Sequence, residues 1–233
     1  MKATKAKSFN DHVFEWVNKN LVPPFTKLSE NYFVKSVYEG FASIIGVLMI
    51  GSIFILLFGL ATNYQIFSFL LPIAMPLLVG YQLTMGLTGL FVAASLSYSL
   101  AKNAKLDPHA GMLVGLATFI VLAVTVQDGA IAINNLGAQG IFTAMLSCFV
   151  TISVYRFCVK NNITIKMPEG VPPAIANMFT SLIPAAISML LAWIVRQILG
   201  VDLVVFVQGL LAPVFAAVDN IFTFTFRYFL GQL

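Results

Sequence analysis

Residues 40–101 read GFASIIGVLMIGSIFILLFGLATNYQIFSFLLPIAMPLLVGYQLTMGLTGLFVAASLSYSLA, and these 62 residues contain no Asp, Glu, Lys or Arg. A charge at the centre of a bilayer costs about 2.5–3.5 kcal/mol on insertion scales, so membrane spans exclude charged residues. One span needs about 20 apolar residues, and this stretch therefore holds two or three. The whole chain is 59% hydrophobic and only 9% charged, which excludes a soluble fold of this size. The sequence predicts an all-α, polytopic helical membrane protein.

The remaining apolar runs predict five to six transmembrane helices in 233 residues. We expect spans at about 41–61, 81–101, 108–126, 139–159 and 179–199, and a sixth apolar stretch at 203–218 that Pro213 interrupts. Residues 63–80 contain Pro72 and Pro76, and they form either a bent extension of the next helix or an interfacial segment. We therefore divide the chain into an N-terminal segment (1–40), a five-span membrane domain (41–199) and a C-terminal part (200–233).

The N-terminal segment contains an expected amphipathic helix at residues 8–21, with Trp16 at the depth of the lipid headgroups. The alternative is a helix that packs against a soluble partner.

The basic residues of the chain also predict its orientation in the membrane. With the N-terminus, the 102–110 loop and the 156–173 loop on one side, that side holds 11 of the 13 Lys and Arg residues. Since cytoplasmic loops are enriched in Lys and Arg, we predict a cytoplasmic N-terminus.

Catalytic, cofactor and metal sites are not indicated by the residues. His12 and His109 lie far apart without carboxylates at ligand spacing, and Cys148 and Cys158 are interpreted as packing residues because the chain has no CxxC pattern. No basic patch interleaved with aromatic residues suggests a nucleic-acid partner. The GxxxG spacing from Gly111 to Gly115 is typical of close helix packing, but it also arises by chance.

The connector before the fifth span is the most unusual local sequence. Three prolines exclude a continuous helix there, and a glycine permits a turn that other residues avoid. A rigid connector with a solvated Glu169 is the simple interpretation. We interpret as structural residues of this connector, without an assigned catalytic or binding role, Pro168, Glu169, Gly170, Val171, Pro172, Pro173 and Asn177.

This connector also carries a family resemblance. The run PEGVPPAIANMF (168–179) followed by LIPA (182–185) resembles enzyme IIC, the membrane permease subunit of the bacterial phosphotransferase system, in its lactose, cellobiose and diacetylchitobiose branch. Supporting segments are GSIFILLFGL (51–60), SYSLAKNAKLDPHAGMLVGLATF (97–119) and LGAQGIFTAM (136–145). The resemblance covers roughly residues 8–218.

The resemblance implies a multi-pass protein of the bacterial inner membrane that carries a disaccharide inward. Its partners would be the lipid bilayer, a second copy in a homodimer, and the phosphocarrier proteins enzyme IIB and enzyme IIA. In the family the N-terminal spans form the dimer interface, and the following half supplies the histidine and glutamate that hold the sugar. We expect this chain to carry no catalytic residue and no cofactor of its own.

The family's histidine lies in a GIHG-like motif, which is expected soon after residue 219 and is not found in this sequence. We therefore expect a truncated permease without the sugar-binding half, so that the disaccharide is a ligand only of the full-length family. The alternative is a non-transporting membrane module that pairs with full-length permeases. The tail 221–233 departs from the family pattern, as a frame-shifted ending or as a natural amphipathic one.

Overall fold

The structure, a computed structural model, describes residues 30–127, 130–168, 170–213 and 216–217. The expected amphipathic helix (8–21) and the tail (221–233) lie outside the described residues. The α-helices are α1 (Tyr32–Asn63), α2 (Ala74–Leu83), α3 (Thr88–Asn103), α4 (Pro108–Ala123), α5 (Ile141–Lys160), α6 (Pro173–Trp193) and α7 (Leu203–Pro213). Within these ranges four helical stretches are long and apolar enough to cross a membrane: Tyr32–Asn63, Gln65–Asn103, Ala138–Lys160 and Ile175–Ile198. The predicted polytopic helical class is confirmed.

After α1 ends at Asn63, residues 65–80 belong to a helical stretch that runs back along α1. A 3-10 helix at Gln65–Ile73 leads into α2, and a second one at Met85–Leu87 leads into α3. Gly40 lies against the backbone of Leu96, whereas Gly80 lies against the ring of Phe54. Because these pairs keep one antiparallel register from Gly40 to Phe54 of α1, residues 65–80 extend the returning helix instead of adding a crossing.

The core lies around α3, which packs against α1, α4 and α5. Val92, Ala93, Leu96 and Leu100 of this helix are each at most 1% exposed. The large apolar side chains of α1 are instead mostly exposed, as expected for a helix on the outside of a membrane bundle. The central helix is therefore the one at the C-terminal end of the charge-free stretch.

Helix α4 begins and packs as its sequence indicates. Asp107 caps its N-terminus by accepting a hydrogen bond from the backbone N–H of Ala110 at 2.7 Å, and Pro108 occupies the first helical position. Gly111 and Gly115 lie directly against α3, and a Cβ at Gly115 would lie 2.5 Å from the Cβ of Ser97. The GxxxG spacing therefore marks a close contact between α3 and α4.

The turn after α4 contains a short antiparallel hairpin, which the sequence did not indicate. Strand β1 (Thr125–Gln127) pairs with β2 (Ala130–Ala132), and 3-10 turns follow at Asn134–Leu136 and Ala138–Gly140. The side chain of Asn135 donates to the carbonyl oxygen of Ala123 at 3.1 Å. This amide satisfies a carbonyl that the end of α4 leaves unpaired.

Helix α6 begins earlier than the predicted span, at Pro173, and passes through Pro184 to end in a π-helical turn at Ile194–Ile198. Gly200 has a φ of +65°, which favours glycine, and the chain then enters α7. The sixth apolar stretch is thus helical over Leu203–Pro213.

Candidate interaction site at the Asp107 end of the bundle

The candidate connector forms the entry to α6. Gly170 has a φ of +99°, a conformation that L side chains rarely adopt, so glycine is required at this turn. Pro172 is the N-cap, and its carbonyl oxygen accepts hydrogen bonds from Ile175 at 3.0 Å and Ala176 at 3.1 Å. Pro173 fills the first helical position, where its missing N–H leaves no bond unmade. Glu169 lies outside the described residues.

Asn177 joins this entry to the start of α4. Its side-chain amide donates to Oδ2 of Asp107 at 2.7 Å, while Oδ1 of the same carboxylate caps α4. The two residues are 70 positions apart in the chain, so the bond reports the tertiary arrangement. One carboxylate therefore fixes the beginnings of two helices that run in parallel.

A groove of about 530 Å³ lies between α4 and α6 below this bond. Polar side chains of Asp107, His109, Asn177 and Ser181 line it together with apolar residues of both helices. The imidazole of His109 also meets the ring of Tyr98 edge to face, with centroids 5.5 Å apart. This aromatic contact agrees with the structural interpretation of His109.

Basic residues gather at this same end of the bundle. Glu39 lies 3.9 Å from both Lys35 and Lys102, and the amide of Asn103 donates to Glu39 at 3.3 Å. Both lysines are more than half exposed, so these ion pairs contribute little stability. Their effect is to hold the positive charges of α1 and α3 together at one surface.

A second contact brings α5 to this surface. The guanidinium of Arg156 lies over the ring of Tyr32 at 5.8 Å, and the hydroxyl of Tyr32 donates to the carbonyl oxygen of Leu100 at 3.0 Å. Lys160 closes α5 one turn further on. The described part of the chain thus carries cations from α1, α3 and α5 at the Asp107 end.

At the end of the bundle opposite Asp107, a partly buried ion pair connects the helices, and sequence reasoning missed it. Arg196 contacts Asp202 at 2.7 Å and donates to the hydroxyl of Thr125 at 2.7 Å, with only 11% of the arginine side chain exposed. Oδ1 of Asp202 also caps α7 by accepting from Val204 at 3.0 Å and Val205 at 3.2 Å. An Asp just before an apolar helix was a readable cap signal, whereas its pairing with Arg196 was not.

These contacts set the protonation of Asp202. Burial raises the pKa of Asp202. The hydrogen bond and charge of Arg196, together with the N–H groups of Val205 and Val204, lower this pKa by more than burial raises it, so the net pKa lies below the usual value of 3.8. The carboxylate is therefore ionised near neutral pH. It ties the end of α6 to the start of α7.

The described His, Cys, Asp and Glu side chains are scattered over the bundle. Within residues 30–127, 130–168, 170–213 and 216–217, His, Cys, Asp and Glu form no group of three that could hold a metal ion. Cys148 and Cys158 are free and buried inside the bundle. The polar side chains at the Asp107 end cap helices and present charge, which suits the recognition of a partner surface.

Comparison with known proteins identifies the family. A family model described as "Phosphotransferase system, EIIC" matches residues 38–230. The chain belongs to the EIIC family. The match begins within α1 and covers the other described spans of this EIIC chain, and it continues past Asn220, where we expected the sequence to depart from the family, through most of the tail.

Individual relatives agree with this assignment. The EIIC chain is similar to the lactose-specific EIICB component of the phosphotransferase system from Streptococcus mutans, with 33% identity over 85% of this chain and 37% of that protein. The corresponding Staphylococcus epidermidis protein is 33% identical over 93% of this chain and 40% of its own length. The chain therefore spans about two fifths of the length of these relatives.

A solved structure supports the fold. The transporter ChbC, the IIC component of an N,N'-diacetylchitobiose-specific phosphotransferase system, matches with a TM-score of 0.67 and 26% identity. The match covers 78% of this chain and 46% of that one. The predicted resemblance to enzyme IIC is confirmed by all three comparisons.

Proposed function

We propose that the chain is a membrane permease component, enzyme IIC, of a phosphotransferase system for disaccharides of the lactose, cellobiose and diacetylchitobiose kind. The family match over residues 38–230 carries this proposal. The substrate class comes from its similarity to a lactose-specific and to an N,N'-diacetylchitobiose-specific protein. The bundle of apolar helices supplies the membrane part that such a permease needs.

Uptake in cells tests this function. The reading frame that contains the chain is deleted in its host, and uptake and phosphorylation of radiolabelled lactose, cellobiose and diacetylchitobiose are compared with the parent strain. We expect loss of uptake of at least one of the three sugars and recovery on re-expression. Unchanged uptake of all three would contradict the proposal, and glucose uptake is the control.

Residues 41–199 are proposed as the dimer-forming interface domain, with 200–233 as the start of the following part. In this division the sugar is held by residues beyond this chain's share of the family length. Ionisable residues inside a membrane are common at substrate sites. Among the described residues, however, the charged side chains lie near the ends of helices or in the connections between helices. We expect the purified chain to show no saturable disaccharide binding by calorimetry at millimolar concentration. Binding at that level would move the sugar site into this chain.

Enzyme IIB, and through it enzyme IIA, are the proposed soluble partners. The Streptococcus mutans relative is named as an EIICB component, so the two parts belong to one protein there. The proposed docking surface is the Asp107 end, where Lys35, Lys102 and Arg156 gather. Replacing both lysines by glutamine should weaken copurification with enzyme IIB, mainly at low salt, because exposed charges are screened.

This docking requires a cytoplasmic N-terminus, which the clustering of basic residues at one end supports. Single cysteines at Ala104 and Asn134, in a chain without Cys148 and Cys158, test the orientation by labelling of intact cells. We expect the impermeant reagent to label position 134 and not position 104. The reverse pattern would place the N-terminus outside.

An exposed apolar face on α1 favours a second function, a module that pairs with full-length permeases without transporting. Met49, Ile53 and Leu56 are 63%, 57% and 60% exposed, and a Cβ at Gly46 would meet no atom of the described residues within 4 Å. Small and apolar residues on one helix face allow close approach of a second helix. The same face serves the homodimer of the first proposal.

Disulfide crosslinking in native membranes tests this face, in the cysteine-free background. Met49→Cys should form a dimer, whereas Leu190→Cys, which is 58% exposed on α6, is the matched control. Equal crosslinking at both positions would indicate random collision. Copurification with a tagged full-length permease, together with absent sugar uptake, would favour the module over the permease.

A further inference from the structure

A cavity of about 210 Å³ lies inside the bundle between α4, α5 and α6. It exceeds the 150 Å³ engineered cavity that holds benzene in another protein, so it has room for a small organic molecule. Its mouth is formed by Leu146, Val150 and Leu191, which are each close to half exposed on the outside of the bundle. The described residues leave this mouth uncovered, and a mouth on the outside of a membrane bundle faces the hydrocarbon of the bilayer.

Two buried hydroxyl groups line this cavity without a hydrogen-bond partner in the described part of the chain. Thr151 lies on α5 and is 1% exposed, and Ser188 lies on α6 and is 4% exposed. The other hydroxyl residues around the cavity are satisfied, for example Thr118 by the carbonyl of Val114 at 2.8 Å and Ser147 by that of Ala144 at 3.0 Å. A buried hydroxyl without a partner is unfavourable, and a bound group that pairs with it removes this penalty.

The walls define the chemistry of a ligand. Among the described residues no charged side chain lines the cavity, and apart from the hydroxyl groups the lining consists of Leu, Val and Ala side chains. Any molecule that enters between Leu146 and Leu191 must first dissolve in the bilayer, which excludes charged species. The two hydroxyl groups, one on each of two adjacent helices, supply hydrogen bonds to a single polar group.

We propose that this cavity binds a small uncharged amphiphile, with one hydroxyl or carbonyl group on an apolar body, taken up from the bilayer. The apolar body occupies the space beside Leu122 and Ala192, and the polar group pairs with Thr151 and Ser188. The bound molecule links α5 to α6. This site is independent of the sugar, and it stands whether or not the chain belongs to a working permease.

Photolabelling of the purified chain in lipid nanodiscs tests the site. The probes are an eight-carbon alcohol that carries a diazirine and the alkane of the same length with the same diazirine. We expect the alcohol to label peptides of residues 143–151 and 188–195 in a saturable manner. The alkane should label them at least several-fold less, because it leaves both hydroxyl groups unpaired.

Two sets of variants decide the outcome. Thr151→Val with Ser188→Ala keeps the shape and removes both hydroxyl groups, and we expect half-saturation by the alcohol to need about tenfold more probe. Ser153→Ala changes an exposed serine on the same helix, outside the cavity, and should have no effect. Ala192→Phe fills the cavity and should abolish labelling.

Three results would overturn the proposal: absence of saturable labelling, equal labelling by alcohol and alkane, or an unchanged concentration dependence in the double variant. Absence of saturable labelling would mean that water occupies the cavity. Equal labelling by alcohol and alkane would mean an apolar void that does not recognise the hydroxyl group of the probe. If Ala192→Phe fails to fold by size-exclusion chromatography, the double variant alone decides, since it leaves the volume of the cavity nearly unchanged.

Discussion

Replacing Gly115 by alanine tests whether close packing of α3 and α4 holds the bundle together. A Cβ at this position would overlap the hydroxyl of Ser97 and lie 2.5 Å from its Cβ. Carbon atoms in contact are about 3.5–4.0 Å apart, so the helices must separate by roughly 1 Å or the side chain must shift. Ser97 is fully buried, which leaves it no free space to move into.

The expected loss of stability follows from two opposing effects. Overpacking a close contact costs about 1–3 kcal/mol. Alanine recovers up to about 1 kcal/mol because glycine is a poor helix former. The net loss of about 1–2 kcal/mol corresponds to a fall of about 2–8 °C in the unfolding midpoint for a chain of this length.

The buried cysteines provide the assay. Cys148 and Cys158 are free and at most 1% exposed, so a thiol-reactive dye reports unfolding as they become accessible on heating in detergent. Gly46→Ala is the control, because a Cβ there meets no atom within 4 Å, and its midpoint should stay level or rise. Equal shifts for Gly115→Ala and Gly46→Ala would refute the reasoning. Adding Ser97→Gly to Gly115→Ala should restore part of the lost stability.

Thermal unfolding midpoints test three further contacts, and the acid series is followed by tryptophan fluorescence, since the dye reacts only with the thiolate, which is scarce at low pH. Asn177→Ala should cost about 1 kcal/mol, and Asp107→Ala more, because the latter also removes the α4 cap; equal costs would mean that the cap contributes nothing. The lowered pKa of Asp202 means that its carboxylate stabilises the fold at pH values above the usual pKa of 3.8, and that this stability is lost as pH falls through the lower pKa of the folded state. In Arg196→Gln the loss of stability in acid should be smaller. An unchanged pH profile in this variant would contradict the pairing of Arg196 with Asp202. Gly170→Ala should destabilise by about 1 kcal/mol, since φ is +99° there, and a neutral effect would show that the turn is not required.

Local physics accounts for what could be predicted from the sequence alone. The charge-free run of residues 40–101 determines the membrane class, because a bilayer excludes charge wherever the helices pack. The N-terminus of α4 was also predictable, since Asp107 and Pro108 act on backbone groups within one turn. The run from Pro168 to Phe179 carried the family resemblance that the comparisons confirm.

The ambiguous segment 63–80 required the tertiary structure. Its prolines permit either a bent helix or an interfacial one, and only the antiparallel register with α1, such as Gly80 against Phe54, decides between them. The short hairpin at Thr125–Ala132 was likewise missed, because three-residue strands have no period that a sequence reading can detect.

The polar contacts at the two ends of the bundle depend on the tertiary structure for the same reason. Asp107 meets Asn177 across 70 positions, and Arg196 meets Thr125 across 71. Each partner was visible in the sequence as an isolated polar residue. Their pairing follows from the parallel register of α4 and α6. Small residues and steric fit between the helices set that register, and the hydropathy of each helix alone cannot determine it.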